Sequence, residues 1–385
     1  MRPLRVAMVG LRAPWGAEGG VEQSVAELAP RLVELGCEVT VFCRRRYNPL
    51  GPGEHRGVRL MDVGTVYTKH LEAIVHTAAV LPRAIQRADV VHLHATGPAL
   101  LSWLPRLVGK AVVVTVHGLD WQRDKWGAGA SLALRVGAAS AARFPHEVIV
   151  VGQHLQRHYE ETYGRATVCI PNGVGDIARP PLERGDVPGL EPGRYLLYVG
   201  RIVPEKGLRH LIRAYKASGV ALPLVVVGGS TYAEDYLAHL RAEAPDTVLF
   251  PGSRYGEARD ALLRHAAAFV YPSRVEGLPL APLEAMAAGR PVFLSDIPPH
   301  REILGAPEAP AALGLERVGP GWRVPEAAWM DALHAASSLT DEQRAAVGDE
   351  AEAAVRARFG WDSVARRTLE VYQTALGTTH TAHRG

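Results

Sequence analysis

Residues 276–292 read EGLPLAPLEAMAAGRPV and follow the strand-like run AAFVYPS at 267–273. Pro279 and Pro282 restrict the connecting loop, and Pro282 suits the first turn of a helix, where a missing N–H breaks no bond. Leu283, Ala285, Met286 and Ala287 continue that helix until Gly289 ends it. Glu284 is then expected in the first helical turn, with its side chain tilted back toward the helix N-terminus. At the same opening the N–H groups of Gly277, Leu278 and Leu280 act together with the helix dipole to favour an anion or a polar ligand. Two carboxylates, Glu276 and Glu284, are thereby aimed with a row of backbone donors at one small volume. Taken singly, each has a plainer reading: Glu284 as a charge favoured at a helix start, Glu276 as a solvated loop residue.

The alternation of strand-like and helical runs extends outward from this stretch. The first half carries RVAMVG (5–10), VEQSVAELAPRLVELG (21–36), EVTVFC (38–43), DVVHLH (89–94), AVVVTVH (111–117) and EVIVVG (147–152). Such a sequence predicts an α/β fold with parallel strands and crossover helices. Pro30 is expected to kink the first helix, and Gly36 to cap its C-terminus. After IPNGV (170–174), read as a structural turn, comes IARPPLERGDVPGLEPG (177–193), a Pro/Gly-rich piece with little periodicity. The alternation then restarts with YLLYVG (195–200), PLVVVGG (223–229), VLFPG (248–252) and PVFLSD (291–296). Two domains are therefore expected, 1–176 and 194–360, joined by a linker at 177–193. A last amphipathic helix is expected at 361–376, with a tail at 377–385 that carries no packing signal and is expected to be mobile.

Composition fits this division. A chain of 385 residues exceeds what one hydrophobic core usually organises, and 47% hydrophobic residues suffice for two. Cys37, Cys43 and Cys169 form neither a metal spacing nor an even-numbered framework, which favours a reducing, cytoplasmic location and buried thiols. The N-terminal apolar run is too short for a signal peptide, and no stretch approaches the roughly 20 residues of a membrane span. A net charge of +3 without a nucleic-acid motif gives no reason to expect a nucleic-acid partner. The run Arg44, Arg45, Arg46 leaves two readings open, contact with anionic lipid on the inner membrane face or a solvated loop.

Three further loops carry chemistry. In GRIVPEKG (200–207), Arg201 offers a forked donor and Lys206 a compact charge beside a helix opening near Gly207, an arrangement that suits a diphosphate. In LRAPWGAEGGVEQ (11–23), Gly19 and Gly20 let backbone approach a ligand at a helix start. In VHGLDWQRDKWG (116–127), His117 and Asp120 lie just beyond a strongly β-branched strand, the end of an open sheet where ligands bind. The remaining histidines, His92 and His94 among them, show no metal spacing, and no Asp-x-Asp triad offers ligands to a divalent ion bridging a nucleotide.

Glutamate, seven residues, glutamate resembles the signature of retaining GT-B glycosyltransferases, in particular of glycosyltransferase family 4 (group 1). The resemblance implies a GT-B fold of two Rossmann-like domains facing across a cleft, with the final helix crossing back to the N-terminal domain. It implies that Glu276 lies against the donor sugar and that Glu284 binds the ribose hydroxyls. By the same resemblance Arg201 and Lys206 hold the donor pyrophosphate, the Gly20 loop faces donor phosphate and acceptor, and His117 stands close to the reacting carbon. Gly252 to Tyr255, with Arg254 beside them, match a position that meets the base. Trp121, Arg123, Lys125 and Trp126 are left between shaping the acceptor side and packing on a helix surface.

The implied activity is retaining, metal-independent transfer of a hexosyl-type sugar from a nucleotide-diphosphate sugar to a sugar or lipid-linked sugar acceptor. No cofactor is expected beyond that co-substrate. The N-terminal half is similar to members of bacterial surface-polysaccharide assembly, including rhamnosyltransferase-like ones, which often carry an acidic residue where this chain has His117. Two alternatives stay open: a non-catalytic nucleotide-sugar binding protein, and another GT-B enzyme such as an epimerase or a phosphorylase.

Overall fold

The computed structural model describes residues 2–16, 19–68, 71–122, 128–230, 234–306 and 314–382. Arg123, Lys125 and Trp126 lie outside the described residues. The chain forms two compact units, Met1–Gly173 with Trp361–Gly385, and Val174–Gly360.

In the first unit the strands are β1 (Leu4–Val9), β2 (Cys37–Arg44), β3 (Gly53–His55), β4 (Val58–Val63), β5 (Val90–His94), β6 (Ala111–Val116), β7 (Glu147–Val150) and β8 (Val168–Cys169). Their order is β3-β4-β2-β1-β5-β6-β7-β8, parallel throughout except for the β3–β4 hairpin. Chain direction across the sheet reverses at β1 and β5, the switch point where open α/β sheets bind ligands. Buried, β-branched strands such as AVVVTV in β6 need cover on both faces, which helices supply.

One covering helix, Gly20–Glu34, runs on through Pro30. It closes with Gly36 at φ +89°, one residue past the Leu35 cap, a conformation that glycine takes without Cβ strain. A second is the final helix, Trp361–Ala382, which belongs to this unit. Its Tyr372 is fully buried and its hydroxyl lies 2.7 Å from His92 Nδ1, while Arg367 donates to the Cys169 carbonyl at 2.6 Å. The helix continues six residues beyond position 376, and Thr379 is buried, so that part of the expected tail is packed. Of the arginine run, Arg44 is buried and paired with Glu72 at 3.4 Å, which removes it from any lipid-facing role; Arg45 and Arg46 are exposed.

The second unit holds β9 (Leu196–Val199), β10 (Leu224–Val227), β11 (Val248–Gly252), β12 (Ala268–Tyr271), β13 (Val292–Ser295), β14 (Glu316–Val318) and β15 (Gly321–Val324). The order is β11-β10-β9-β12-β13-β15-β14, again parallel apart from the β14–β15 hairpin. Its switch point lies between β9 and β12.

The stretch read as a linker is part of this unit. Ala178 N–H donates to Asp260 at 3.0 Å, Arg264 to the Ile177 carbonyl at 2.6 Å, and Gly193 N–H to the His265 carbonyl at 2.8 Å. These bonds lash 177–193 to the helix Gly256–His265. Periodicity misses this because the packing is made by backbone groups and not by an apolar face. The compact units instead meet in sequence at Gly173/Val174 and Gly360/Trp361.

The helix Leu280–Ala287 is braced from behind by the helix Asp341–Arg358. At the crossing a Cβ on Gly348 would stand 2.2 Å from the Gly289 carbonyl oxygen, a clash with backbone that no side-chain rotation relieves. Gly348→Ala is expected to destabilise the chain by about 1–3 kcal/mol, the usual penalty for overpacking, read as a lower midpoint in equilibrium urea unfolding.

Candidate active site

The two loops that leave β9 and β12 sit side by side because those strands are hydrogen-bonded neighbours, Ala268 opposite Leu196 and Phe269 opposite Leu197. Backbone contact without intervening side chains brings the loops close. Gly207, at φ +70°, would place a Cβ 2.2 Å from the Pro272 oxygen, and Gly228, at φ +153° just past the neighbouring β10, would place one 1.8 Å from the Gly200 oxygen. Only glycine fits either position.

Lys206 emerges from the short turn Pro204–Lys206 and is buried. Its Nζ donates to the Tyr271 hydroxyl at 2.8 Å and forms an ion pair with Glu276 Oε1. Both charged side chains keep only 10% of their surface exposed. Burial pushes the Glu276 carboxyl up, but the adjacent Lys206 ammonium outweighs it and, with His300 and Ser273, brings the pKa down to about 2. Burial, followed by the Glu276 charge, pushes the Tyr271 phenol well above its ordinary range, so Tyr271 remains a neutral donor and acceptor.

Aromatic groups wall this pair. Tyr198 stacks on Tyr271 with centroids 5.4 Å apart, and its hydroxyl donates to the Arg201 carbonyl at 2.9 Å, which shapes the loop carrying that guanidinium. His300 packs 5.6 Å from Tyr271. The His300 ring is anchored through Nδ1 to the Ser295 carbonyl at 2.9 Å, and burial lowers its pKa to about 4. Tyr271 and His300 were not singled out in the sequence. Their only signal there is position: Tyr271 ends β12, and His300 enters a Pro-Pro helix start just past β13.

The helix Leu280–Ala287 begins two residues before Pro282, so Glu284 opens the second turn and not the first. Gly277, Leu278 and Leu280 are buried at its N-terminal end. Glu284 is buried and receives Arg259 Nη1 at 2.7 Å, while Arg259 also grips Asp260 at 2.9 Å. Arg259 is thus the missed residue that orients the second carboxylate. Arg254, expected beside the base, is engaged by carbonyl groups of the second unit. Its donors meet the carbonyls of Pro251 at 2.7 Å, Ser253 at 3.1 Å, Asp186 at 3.2 Å and Gly185 at 3.3 Å. It ties a turn of the segment 177–193 to the end of β11.

In the first unit, His117 follows β6 and lies 3.2 Å, Nε2 to Nδ1, from His94 at the end of β5. Gly20 begins the helix after β1, behind Gly19 at φ +153°. The loops after β1, β5 and β6 all open at the carboxyl edge of the sheet.

Both halves match known families. Residues 184–327 match the model for Glycosyl transferases group 1, and residues 18–176 match that for Glycosyltransferase Family 4. The chain belongs to the family 4 (group 1) glycosyltransferases. Among similar proteins, the D-inositol 3-phosphate glycosyltransferase of Thermobispora bispora is 28% identical, covering 95% of this chain and 92% of the relative. The phosphatidyl-myo-inositol mannosyltransferase of Mycobacterium leprae is also 28% identical, covering 95% and 96%. In fold, this glycosyltransferase is similar to Anabaena Alr3699/HepE, solved with UDP and glucose, at a TM-score of 0.77 and 19% identity over 96% of this chain and all of that one. The two Rossmann-like units are those of the GT-B fold.

The Lys206–Glu276 pair has a pH signature. Glu276 titrates at about 2 in the folded chain against an ordinary 4.5, so its contribution to stability is fully present above 4.5 and is lost as pH falls toward 2. Melting temperatures of the wild type and Glu276→Gln, measured from pH 7 to pH 2, are expected to differ most at neutral pH and to converge below 4.5. A gap that stays constant with pH would show that the ion pair does not hold Glu276 ionised.

Proposed function

We propose that this glycosyltransferase transfers a sugar from a nucleotide-diphosphate sugar to an acceptor hydroxyl with retention of anomeric configuration, in the assembly of a surface polysaccharide or glycolipid. The observation that carries the reading is the buried Lys206–Glu276 pair on Tyr271, set where the second sheet reverses direction. In this reading Arg201 and Lys206 take the donor diphosphate. Lys206 exchanges part of its attraction to Glu276 for the phosphate oxygens and so needs no new charge brought from water. Glu276 then faces the sugar, Glu284, held by Arg259, receives the ribose hydroxyls, and the helix opening at Gly277, Leu278 and Leu280 adds backbone donors.

Retention follows from a front-face course. The bond from the anomeric carbon to the leaving phosphate oxygen breaks while the acceptor oxygen bonds to that carbon on the same face, and the acceptor proton passes to the departing diphosphate. In this reading the two cations and the helix terminus carry the leaving charge. His117 is assigned to orient the sugar. The acceptor is read as a sugar or lipid-linked sugar, in keeping with the relative that acts on phosphatidyl-myo-inositol. No helix among the described residues is long and apolar enough to cross a membrane, and exposed Arg45 and Arg46 are the groups assigned to any peripheral lipid contact.

Thermal unfolding in the presence of UDP, GDP, ADP or dTDP tests the donor site. One nucleotide at a hundredfold its dissociation constant is expected to stabilise the chain by about 2.7 kcal/mol, and Lys206→Ala and Glu284→Ala to abolish that shift. The sugar nucleotide so identified is then used for transfer, where Glu276→Ala is expected to lower the rate on the order of 10²–10³-fold, as loss of one preorganised electrostatic group does. No shift with any nucleotide, or unchanged transfer by Glu276→Ala, would sink the assignment.

A further inference from the structure

His300 lies in the helix Pro298–Leu304, just past β13, and its buried ring packs on Tyr271 beside the Lys206–Glu276 pair. The groups that face it come from four places. They are Tyr271 at the end of β12, Glu276 in the loop that follows, Lys206 from the turn after β9, and Asp296 after β13. Asp296 is already held by Arg301 at 2.6 Å and Arg323 at 3.7 Å. Burial lowers the His300 pKa to about 4, with Glu276 drawing it up and Lys206 pressing it down, so the ring is neutral at pH 7. Its one proton can be placed. Nδ1 stands 2.9 Å from the Ser295 carbonyl, which only accepts, and 3.1 Å from Ser295 Oγ, whose own proton goes to the Ser273 carbonyl. Nδ1 therefore carries the proton. Nε2 is left as a bare lone pair, buried and without a hydrogen-bond partner.

Glu276 is held ionised by Lys206, with further hydrogen bonds to Tyr271 and Ser273. The diphosphate of a sugar nucleotide brings a dianion to the same ammonium. Whatever attraction Lys206 gives to phosphate is withdrawn from Glu276, and both changes favour a cation at His300, since a repelling charge turns away and negative charge gathers. Tyr271 has its proton already, and Asp296 has two arginines. The lone pair on His300 Nε2 is the base that can answer the change.

We propose that His300 is a positioning residue that acts by taking up a proton: as the donor diphosphate draws on Lys206, His300 Nε2 accepts a proton from water, and the imidazolium replaces the ammonium as counter-charge to Glu276, which stays ionised and aimed at the sugar. One N–H bond forms from a solvent proton, and no bond of the donor changes. The inference rests on the donor-site reading made above.

Calorimetric titration with UDP-glucose, GDP-glucose, ADP-glucose and dTDP-glucose tests it, because these diesters stay dianions between pH 5.5 and 7.5. Measured in two buffers of different ionisation heat, the one that binds is expected to carry a proton into the wild-type complex. Its Kd is expected to fall with pH, by about tenfold per unit where a full proton is taken up. His300→Asn, which keeps an N–H for the Ser295 carbonyl but has no basic nitrogen, is expected to bind with a flat pH profile and no uptake. In ¹⁵N spectra of the histidine-labelled chain at pH 6, assigned with His300→Asn or His300→Gln, Nε2 is expected to be bare without donor and protonated at saturation. Binding with no proton uptake by the wild type overturns the proposal, whether or not a variant folds, and leaves the donor site standing. Uptake that survives His300→Asn also overturns it, placing the proton on another base such as Glu205, which is buried with neither carboxylate oxygen hydrogen-bonded. No binding of any of the four overturns the donor-site reading and this inference with it.

Discussion

A lysine and a glutamate pressed together against a tyrosine hydroxyl, with nine-tenths of each charged side chain out of water, are costly unless every neighbour supports them. Much of the second unit supplies that support. β9 and β12 pair directly, so the loop with Arg201 and Lys206 and the loop with Glu276 leave the sheet side by side. Gly207 and Gly228 allow the backbones to touch, Tyr198 stacks on Tyr271, and His300 is pinned to Ser295 behind them. Replacing the ion pair with apolar residues would relieve the desolvation cost, which makes its presence an argument for chemistry and not for stability alone.

The first unit solves a similar problem with neutral groups. Its buried polar column runs from Tyr372 on the final helix through His92 to Thr115, and the His94 ring lies tilted against His92 with a hydrogen bond to His117. Burial pushes the pKa of His92 to about 3 and that of His94 well down, so the column remains uncharged at neutral pH. The final helix therefore does more than cover the sheet. It satisfies a histidine one residue-pair away from the ring that faces the carboxyl edge.

Much of the site in the second unit is legible in the sequence because it is local. A strand, a glycine-marked turn and a helix fix where Arg201, Lys206, Glu276 and Glu284 sit along their own βα connections, and short connections leave little freedom. What is not legible are the partners drawn from elsewhere. Arg259 comes from the preceding helix, His300 from the next connection, and Arg254 reaches two carbonyls, of Gly185 and Asp186, in a segment some 70 residues earlier that reads as a linker. The hairpins β3–β4 and β14–β15 were equally silent, being too short to show alternation.

By itself, then, the sequence determined the α/β class, the duplication of the strand–helix pattern, and the charged residues carried by loops at strand ends, since each depends on periodicity or turn chemistry within about ten residues. Tertiary structure alone decided which strands became neighbours, that 177–193 packs into the second unit, that Arg44 is buried, and that Lys206 meets Glu276 across Tyr271. The physical reason is that pairing order, burial and the partner of a charge are set by groups distant in sequence, whose meeting costs chain entropy that only the assembled core offsets.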